Sequence, residues 1–131
     1  MIKNISNLGD AAVYCDFGKE VNKEINTNVI KYFYSIRNQK IKGINNLTPS
    51  YNKLIISFDL KLTNFNEIKK KIENLNISEV FTQNNKELKI PVCCDEIFGL
   101  DIGILEKKLS LKKDKILENF FNKEYFCYMT G

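Results

Sequence analysis

Histidine and tryptophan are absent from this 131-residue chain, and arginine occurs once, as Arg37. Without histidine, the chain by itself cannot hold a Ser-His-Asp triad, a Cys-His pair or a histidine-ligated metal. Catalysis by this chain alone would have to use carboxylates, lysine, tyrosine or cysteine. The single arginine also argues against nucleic-acid recognition, because proteins that read bases rely on arginine.

The formal net charge of +4 comes from 20 Lys and Arg against 16 Asp and Glu. All the basic residues except Arg37 are lysines, and the chain also contains 17 Asn and 17 Ile. Lysine, asparagine and isoleucine are encoded by A/T-rich codons, so genome composition accounts for much of the basicity. A charge of this size, spread along the chain, produces a weak field. We therefore expect no nucleic-acid partner.

Long apolar runs are also missing. No window approaches 18 consecutive apolar residues, so the sequence predicts no membrane-spanning helix. The first residues lack the basic and apolar regions of a secretory signal. The cysteines have no C-x-x-C spacing, which excludes a zinc ribbon or a thioredoxin-like motif. We expect a cytoplasmic protein without a metal site and with reduced thiols at Cys15, Cys93, Cys94 and Cys127.

The first half of the chain alternates strand and helix patterns in the order ββαββα. Strands are predicted at 2–6, 11–17, 41–47 and 53–59, and helices at 21–38 and 64–75. This order predicts an α+β fold in which an antiparallel sheet carries both helices on one face.

Three local patterns support these elements. The first helix has an apolar stripe in which Phe33 is a core residue. The run KLIISFD at 53–59 is typical of a central strand buried on both faces. Asn64 followed by Glu67 predicts a capping box at the start of the second helix.

The second half has no obvious core of its own. It is predicted to contain a strand at 87–92, a short helix after Asp101, a second short helix capped by Ser110, and a β-prone end at 125–129. We expect domains at 1–81 and 88–131, joined by a polar linker at 82–87. The density of apolar residues near the end predicts a loosely held, association-prone segment.

Several residues have both a chemical and a structural interpretation. Asp10 is a positioned carboxylate or an Asx-type turn, and the turn is favoured. Asp101, with Asp95 and Glu96, could bind Mg²⁺ or act in acid–base catalysis. The favoured interpretation is a polar loop in which Asp101 caps a helix. Cys93 has no base near it in sequence and is interpreted as a small buried residue rather than a nucleophile. The lysine runs are interpreted as solvated helix faces.

Short motifs follow one another in a recognisable order along nearly the whole chain. They are Leu8-Gly9-Asp10-Ala11-Ala12, Phe17-Gly18, Asn26 with Val29, Gly43-Ile44, Pro49-Ser50-Tyr51, Ile90-Pro91-Val92-Cys93, Phe98-Gly99 with Asp101, Leu109-Ser110-Leu111, and Tyr125 with Tyr128-Met129-Thr130-Gly131. This order resembles the KipI family, whose members are also known as the B subunit of 5-oxoprolinase or as allophanate hydrolase subunit 1.

This sequence departs from the usual family pattern at three positions. Family members usually carry tyrosine where Cys94 stands, histidine where Phe120 stands and proline where Leu100 stands. Family members are also longer, and continue into a cyclophilin-like β-barrel. The resemblance therefore implies that 88–131 is the beginning of such a barrel and that the chain is an N-terminal fragment or a truncated gene product.

The resemblance implies a subunit of an ATP-dependent 5-oxoprolinase, which hydrolyses 5-oxo-L-proline to L-glutamate. Its partners would be two further 5-oxoprolinase subunits, one carboxyltransferase-like and one of the lactam-utilisation type. ATP, with or without Mg²⁺, would act through the complex, and the isolated chain is expected to be inactive. The polar site candidates are Asp10, Tyr51 and Asp101, without a catalytic assignment. The alternative is a binding protein that inhibits a sensor histidine kinase.

Overall fold

The computed structural model describes residues 1–77 and 87–129. The chain forms two compact units, Met1–Gln83 together with Cys127–Gly131, and Asn84–Phe126. Apart from Glu87, the predicted linker at 82–87 lies outside the described residues. The predicted domain boundaries remain a prediction.

The first unit is built on a four-stranded sheet in which every neighbouring pair is antiparallel. Its strands are β1 (Asn4–Asn7), β2 (Ala12–Asp16), β3 (Ile44–Pro49) and β4 (Lys53–Phe58), in the spatial order β1-β2-β4-β3. The helices are α1 (Lys23–Gln39) and α2 (Phe65–Glu73). The predicted ββαββα order and α+β class are confirmed.

One buried cluster joins the sheet to both helices. Alternate residues of β2 and β4, including Cys15, Leu54 and Ile56, face the same way and are fully buried. Val29 and Ile36 of α1 and Ile68 and Ile72 of α2 belong to the same cluster, so both helices cover one face, as predicted.

The prediction that β4 is buried on both faces is wrong. Its burial alternates, and Ile55 on the opposite face is only partly buried. The strand is central in the sheet, but both helices of the first unit pack against the other face. The apolar run therefore reflects β propensity as well as burial.

Side-chain caps begin both helices of the first unit. The Asn64 side chain accepts a hydrogen bond from the Glu67 N–H at 3.1 Å and donates to the Glu67 carboxylate at 3.0 Å, so the predicted cap of α2 is confirmed. Asn22 caps α1 by accepting from the Ile25 N–H at 2.9 Å. The helix therefore begins after Asn22 rather than at the predicted position 21, where Val21 is 52% exposed.

The second unit contains α3 (Ile102–Leu109) and α4 (Lys113–Phe121). None of its described residues is buried. The predicted strands at 87–92 and 125–129 are not formed. Ser110 is not a helix N-cap, because it ends α3 with a left-handed φ of 52°, and Lys112 precedes α4.

Strands need a neighbouring strand to satisfy their backbone groups. The described part of the second unit contains no strand, so its β-prone segment at 87–92 has no strand to pair with and remains irregular. Within the described residues, no helix is long and apolar enough to cross a membrane.

Candidate functional site

The three predicted site residues lie on different elements, Asp10 and Tyr51 in the first unit and Asp101 in the second. Asp10 is exposed in the turn between β1 and β2. Tyr51 is 45% exposed in the turn between β3 and β4, which lies at the opposite end of β2 because Asp16 pairs with Lys53. Asp101 precedes α3 in the second unit, where its side chain makes no capping hydrogen bond. The structure thus separates Asp10 from Tyr51 within the first unit.

Polar contacts instead converge on Asn26 of α1, which is only 1% exposed. Its side-chain Nδ2 donates to the main-chain oxygens of Ser50, Tyr51 and Tyr128, at 3.2, 3.1 and 3.0 Å. Because an amide NH₂ carries only two protons, one of its N–H groups is shared between two acceptors. One side chain therefore hydrogen-bonds both the β3–β4 turn and the segment around Tyr128, here called the C-terminal segment, to α1.

Further contacts hold the C-terminal segment in the same place. The Tyr128 ring lies edge-on to the Tyr51 ring, with centroids 6.3 Å apart. The Ser50 hydroxyl donates to the Met129 sulfur at 3.5 Å. We call Asn26, Ser50, Tyr51, Tyr128 and Met129 the Asn26 cluster. Tyr51 belongs to it through both its ring and its carbonyl.

A second group of polar contacts lies beside this cluster, and we call it the Asp16 cluster. Lys53 makes a close ion pair with Asp16 and its Nζ also donates to the Gly18 oxygen at 2.6 Å. The Asn52 amide donates to the same oxygen at 2.9 Å, and the Gly18 N–H donates to Asp16 Oδ1 at 2.7 Å. Gly18 has a φ of +137°, a conformation that favours glycine.

The pKa of the Asp16 carboxyl lies below its ordinary value of 3.8. The main cause is the hydrogen bond from the Lys53 side chain, and the Gly18 N–H contributes in the same direction. Hydrogen bonds and nearby positive charge both favour the ionised form of a carboxyl. The ion pair therefore ties the end of β2 to the start of β4.

The four cysteines of the described chain are free, with no disulfide between them. Burial raises the pKa of Cys15 to about 12, so its thiol stays protonated and inert near neutral pH. Cys93, in contrast, is exposed, so the prediction that it is a small buried residue is wrong. It lies in the irregular segment of the second unit, where no core forms around it.

These arrangements determine what the site can do chemically. Among the described residues, every buried side-chain nitrogen or oxygen has a hydrogen-bond partner. No described group of three or more His, Cys, Asp and Glu side chains could hold a metal ion. In the Asn26 cluster, the Asn26 side chain donates hydrogen bonds to main-chain carbonyls. The cluster is therefore suited to holding a peptide segment.

Sequence reasoning did not select Asn26 as a site residue. Its acceptors lie 24, 25 and 102 positions away, beyond the reach of local patterns. One signal was present: Asn26 follows the apolar Ile25 and precedes the buried Val29 by three positions. A polar residue at this helical spacing indicates a buried, hydrogen-bonded side chain.

Comparison with known proteins places this fold in a family. The family model "Carboxyltransferase domain, subdomain C and D" matches residues 3–131. The chain belongs to this family. Among the described residues, the match includes both compact units and both polar clusters.

Individual relatives of this carboxyltransferase-domain family agree. The chain is 27% identical to the B subunit of 5-oxoprolinase from Bacillus subtilis (strain 168), over 97% of this chain and 58% of the relative. It thus spans less than two thirds of that relative's length. A crystal structure of protein PH0987 from Pyrococcus horikoshii is 27% identical, with a TM-score of 0.54, and is matched over 88% of this chain and 53% of its own.

A more distant structure supports the fold alone. The crystal structure of TTHA0988 is 19% identical, with a TM-score of 0.66, over 82% of this chain and 21% of its own. The N-terminal domain of the histidine kinase inhibitor KipI from Bacillus subtilis is 25% identical with a TM-score of 0.46, over 53% of this chain and 79% of that domain.

Proposed function

We propose that this chain is a subunit of an ATP-dependent 5-oxoprolinase, which hydrolyses 5-oxo-L-proline to L-glutamate with hydrolysis of ATP. Its partners in this proposal are a carboxyltransferase-like subunit of the same enzyme and one of the lactam-utilisation type. The observation that supports it is the likeness to the B subunit of 5-oxoprolinase, which runs through 97% of the chain. A cytoplasmic location belongs to the same proposal.

The structure supports a role as one subunit rather than as a complete enzyme. Opening a lactam ring requires activation of its carbonyl, by phosphorylation or by preorganised hydrogen-bond donors. The buried polar side chains of the described residues are already partnered, so none is aimed at a substrate. The activating groups in this proposal therefore belong to the partner subunits.

ATP is the cofactor that this reaction implies, and the described residues do not fit it. The sequence has neither a Walker loop nor a G-x-G-x-x-G motif, and the described residues contain no cluster of three or more His, Cys, Asp and Glu side chains that could hold a metal ion. One open groove of the first unit is lined by Lys3, Lys69 and Glu73, and another by Arg37 and Lys40. Scattered cations of this kind lack the converging backbone N–H groups of a phosphate cradle. The described residues of this chain therefore offer no site that fits the phosphates of ATP.

Asp10, Tyr51 and Asp101 remain proposed polar residues with different roles. Tyr51 acts as a positioning residue within the Asn26 cluster, because its carbonyl and ring both engage other residues of the unit. Asp10 and Asp101 are exposed, which makes them available for contact with a partner subunit. No catalytic role is assigned to any of the three.

The test is to co-express this chain with the products of its neighbouring genes and measure 5-oxoproline-dependent ATP hydrolysis. We expect activity only when all subunits are present, and none from the purified chain. Exposed Asp10→Asn and Asp101→Asn variants report on partner contacts, and exposed Asn38→Ala serves as a matched surface control. Turnover by the chain alone that is lost in Asp10→Asn or Asp101→Asn would place a complete site here and contradict the subunit role.

The same preparation distinguishes the alternative function. Inhibition of a sensor histidine kinase by this chain, with no effect of the chain on 5-oxoproline-dependent ATP hydrolysis, would replace the proposed function. Assembly with a carboxyltransferase-like protein, together with dependence of turnover on this chain, would support it.

A further inference from the structure

Two thiols stand side by side in the second unit. Cys93 and Cys94 are consecutive residues, and both are free. Cys93 is exposed and Cys94 is partly exposed. A dissolved reagent can therefore reach a pair of soft sulfur donors that one peptide bond keeps together.

The backbone around the pair is irregular. Residues 87–94 form neither helix nor strand, and no backbone hydrogen bond joins them to another described residue. The Cys94 thiol makes one weak contact, at 3.8 Å to the Val92 oxygen. Sulfur is a weak hydrogen-bond donor, so a ligand that takes this thiol displaces little.

The other cysteines provide internal comparisons. Cys15 is buried and has a pKa of about 12, so its thiolate, the form that binds soft metals, is scarce. Cys127 is exposed but is flanked by Phe126 and Tyr128 rather than by another cysteine. The adjacent pair is therefore the place in the sequence where two accessible thiols can bind one atom.

The number of donors selects the class of ligand. Structural zinc requires four protein ligands, and no described group of three or more His, Cys, Asp and Glu side chains could hold a metal ion. Soft thiolates select soft acceptors. An organic arsenical of trivalent arsenic needs only two thiolates, because it carries its third ligand as a carbon substituent. We propose that Cys93 and Cys94 form a dithiol site that chelates trivalent organoarsenicals.

The reaction is a condensation without a change of oxidation state. The two thiols and the arsenic–oxygen group form two sulfur–arsenic bonds. The arsenic–oxygen bond is broken, and the oxygen leaves as water with the two thiol protons. Arsenic remains trivalent, so neither an oxidant nor a reductant is required. The second bond forms within one molecule, at a high effective concentration.

The test uses phenylarsine oxide and the full 131-residue chain. Intact-mass spectrometry should find one phenylarsenic group per chain, with one water released. The adduct should survive excess monothiol, which competes with single sulfur–arsenic bonds, and should be removed by ethanedithiol. Cys93→Ser and Cys94→Ser should each lower retention against monothiol by roughly 10²- to 10⁴-fold, because each removes the intramolecular bond.

Cys127→Ser is the matched control and should retain the adduct like the unaltered chain. Circular dichroism checks that all variants keep the same helix content. Retention by the Cys93→Ser/Cys94→Ser double variant, loss of retention in Cys127→Ser, or no monothiol-resistant adduct on the unaltered chain would each overturn the proposal.

Discussion

At the scale of single residues, Asn26 joins segments that are far apart in sequence. Replacing it with alanine would leave three carbonyls without their shared donor. We expect Asn26→Ala to lower the free energy of unfolding by about 1–3 kcal/mol. The reason is that the carbonyls would remain removed from water but would no longer accept a hydrogen bond. Urea denaturation followed by circular dichroism measures this loss.

A second readout separates the loss of these hydrogen bonds from a general loss of stability. Amide exchange at 127–129 should accelerate in Asn26→Ala more than exchange in β4. Asn38→Ala changes an exposed asparagine of the same helix, and we expect it to stay within about 0.5 kcal/mol of the unaltered chain. Equal stabilities of the two variants would show that the three hydrogen bonds contribute nothing measurable.

The ion pair between Asp16 and Lys53 predicts a pH dependence whose sign follows from the lowered pKa of Asp16. A lowered pKa stabilises the fold at pH values above 3.8, and this contribution is lost as the pH falls through the folded-state value. Because 31% and 20% of the two side chains are exposed, solvent screening keeps the contribution small. We expect Asp16→Asn to cost about 0.5–1 kcal/mol at neutral pH.

Urea denaturation of both chains across an acid titration provides the measurement. The difference between the unaltered chain and Asp16→Asn should shrink on acidification, and also in high salt, which screens exposed charges. A difference that stays constant from neutral pH to well below 3.8 would assign the effect to packing rather than to charge.

At the scale of elements, two residues on the apolar stripe of helix α1 differ in how deeply they are buried. Ile36 is 1% exposed, whereas Phe33 is only partly buried and packs against the core from its margin. We expect Ile36→Ala to cost about 2–5 kcal/mol and Phe33→Ala less, although phenylalanine is larger, because only buried atoms leave a cavity. Urea denaturation of both variants decides the order. A greater loss for Phe33→Ala would show that the sequence-based assignment of Phe33 to the core was right.

The elements of the first unit could be predicted because each carries its own periodic signal. The alternating burial of β2, the apolar stripe of α2 and the Asn64–Glu67 cap all depend on nearby residues. They can therefore be recognised without knowing which segments pack against them. The segments at 87–92 and 125–129 are also β-prone, but neither forms a strand in the structure. Propensity alone does not form a strand, because pairing is a property of two segments.

The candidate site was less predictable for the same physical reason. Tyr51 was selected from the sequence, but its contacts with Asn26 and Tyr128 cross 25 and 77 positions. The pairing of Asp16 with Lys53 depends on the register of β2 against β4. Register is set by the whole hydrophobic face, so the sequence supplied candidates without the geometry that joins them.

At the scale of the whole molecule, the two units differ in their apolar interiors. The first has a core of fully buried side chains, whereas the second has no buried residue among those described. Many of its large apolar side chains are exposed, with Ile90 at 77%, Ile97 at 73% and Leu100 at 85%. Exposed apolar surface of this extent favours association, as the proposed role of a subunit requires.

This contrast predicts a gradient of local stability along the chain. Amides of α3 and α4 should exchange hydrogen faster than those of β4, because local opening is cheap where few apolar contacts are buried. Hydrogen-exchange mass spectrometry of the purified chain compares 102–121 with 53–58, and light scattering over a concentration series reports self-association. A monomer in which both regions are equally protected would show that the second unit is as stable as the first. Protection that rises in 102–121 only when a partner subunit is added would instead show that this unit gains its stability from assembly.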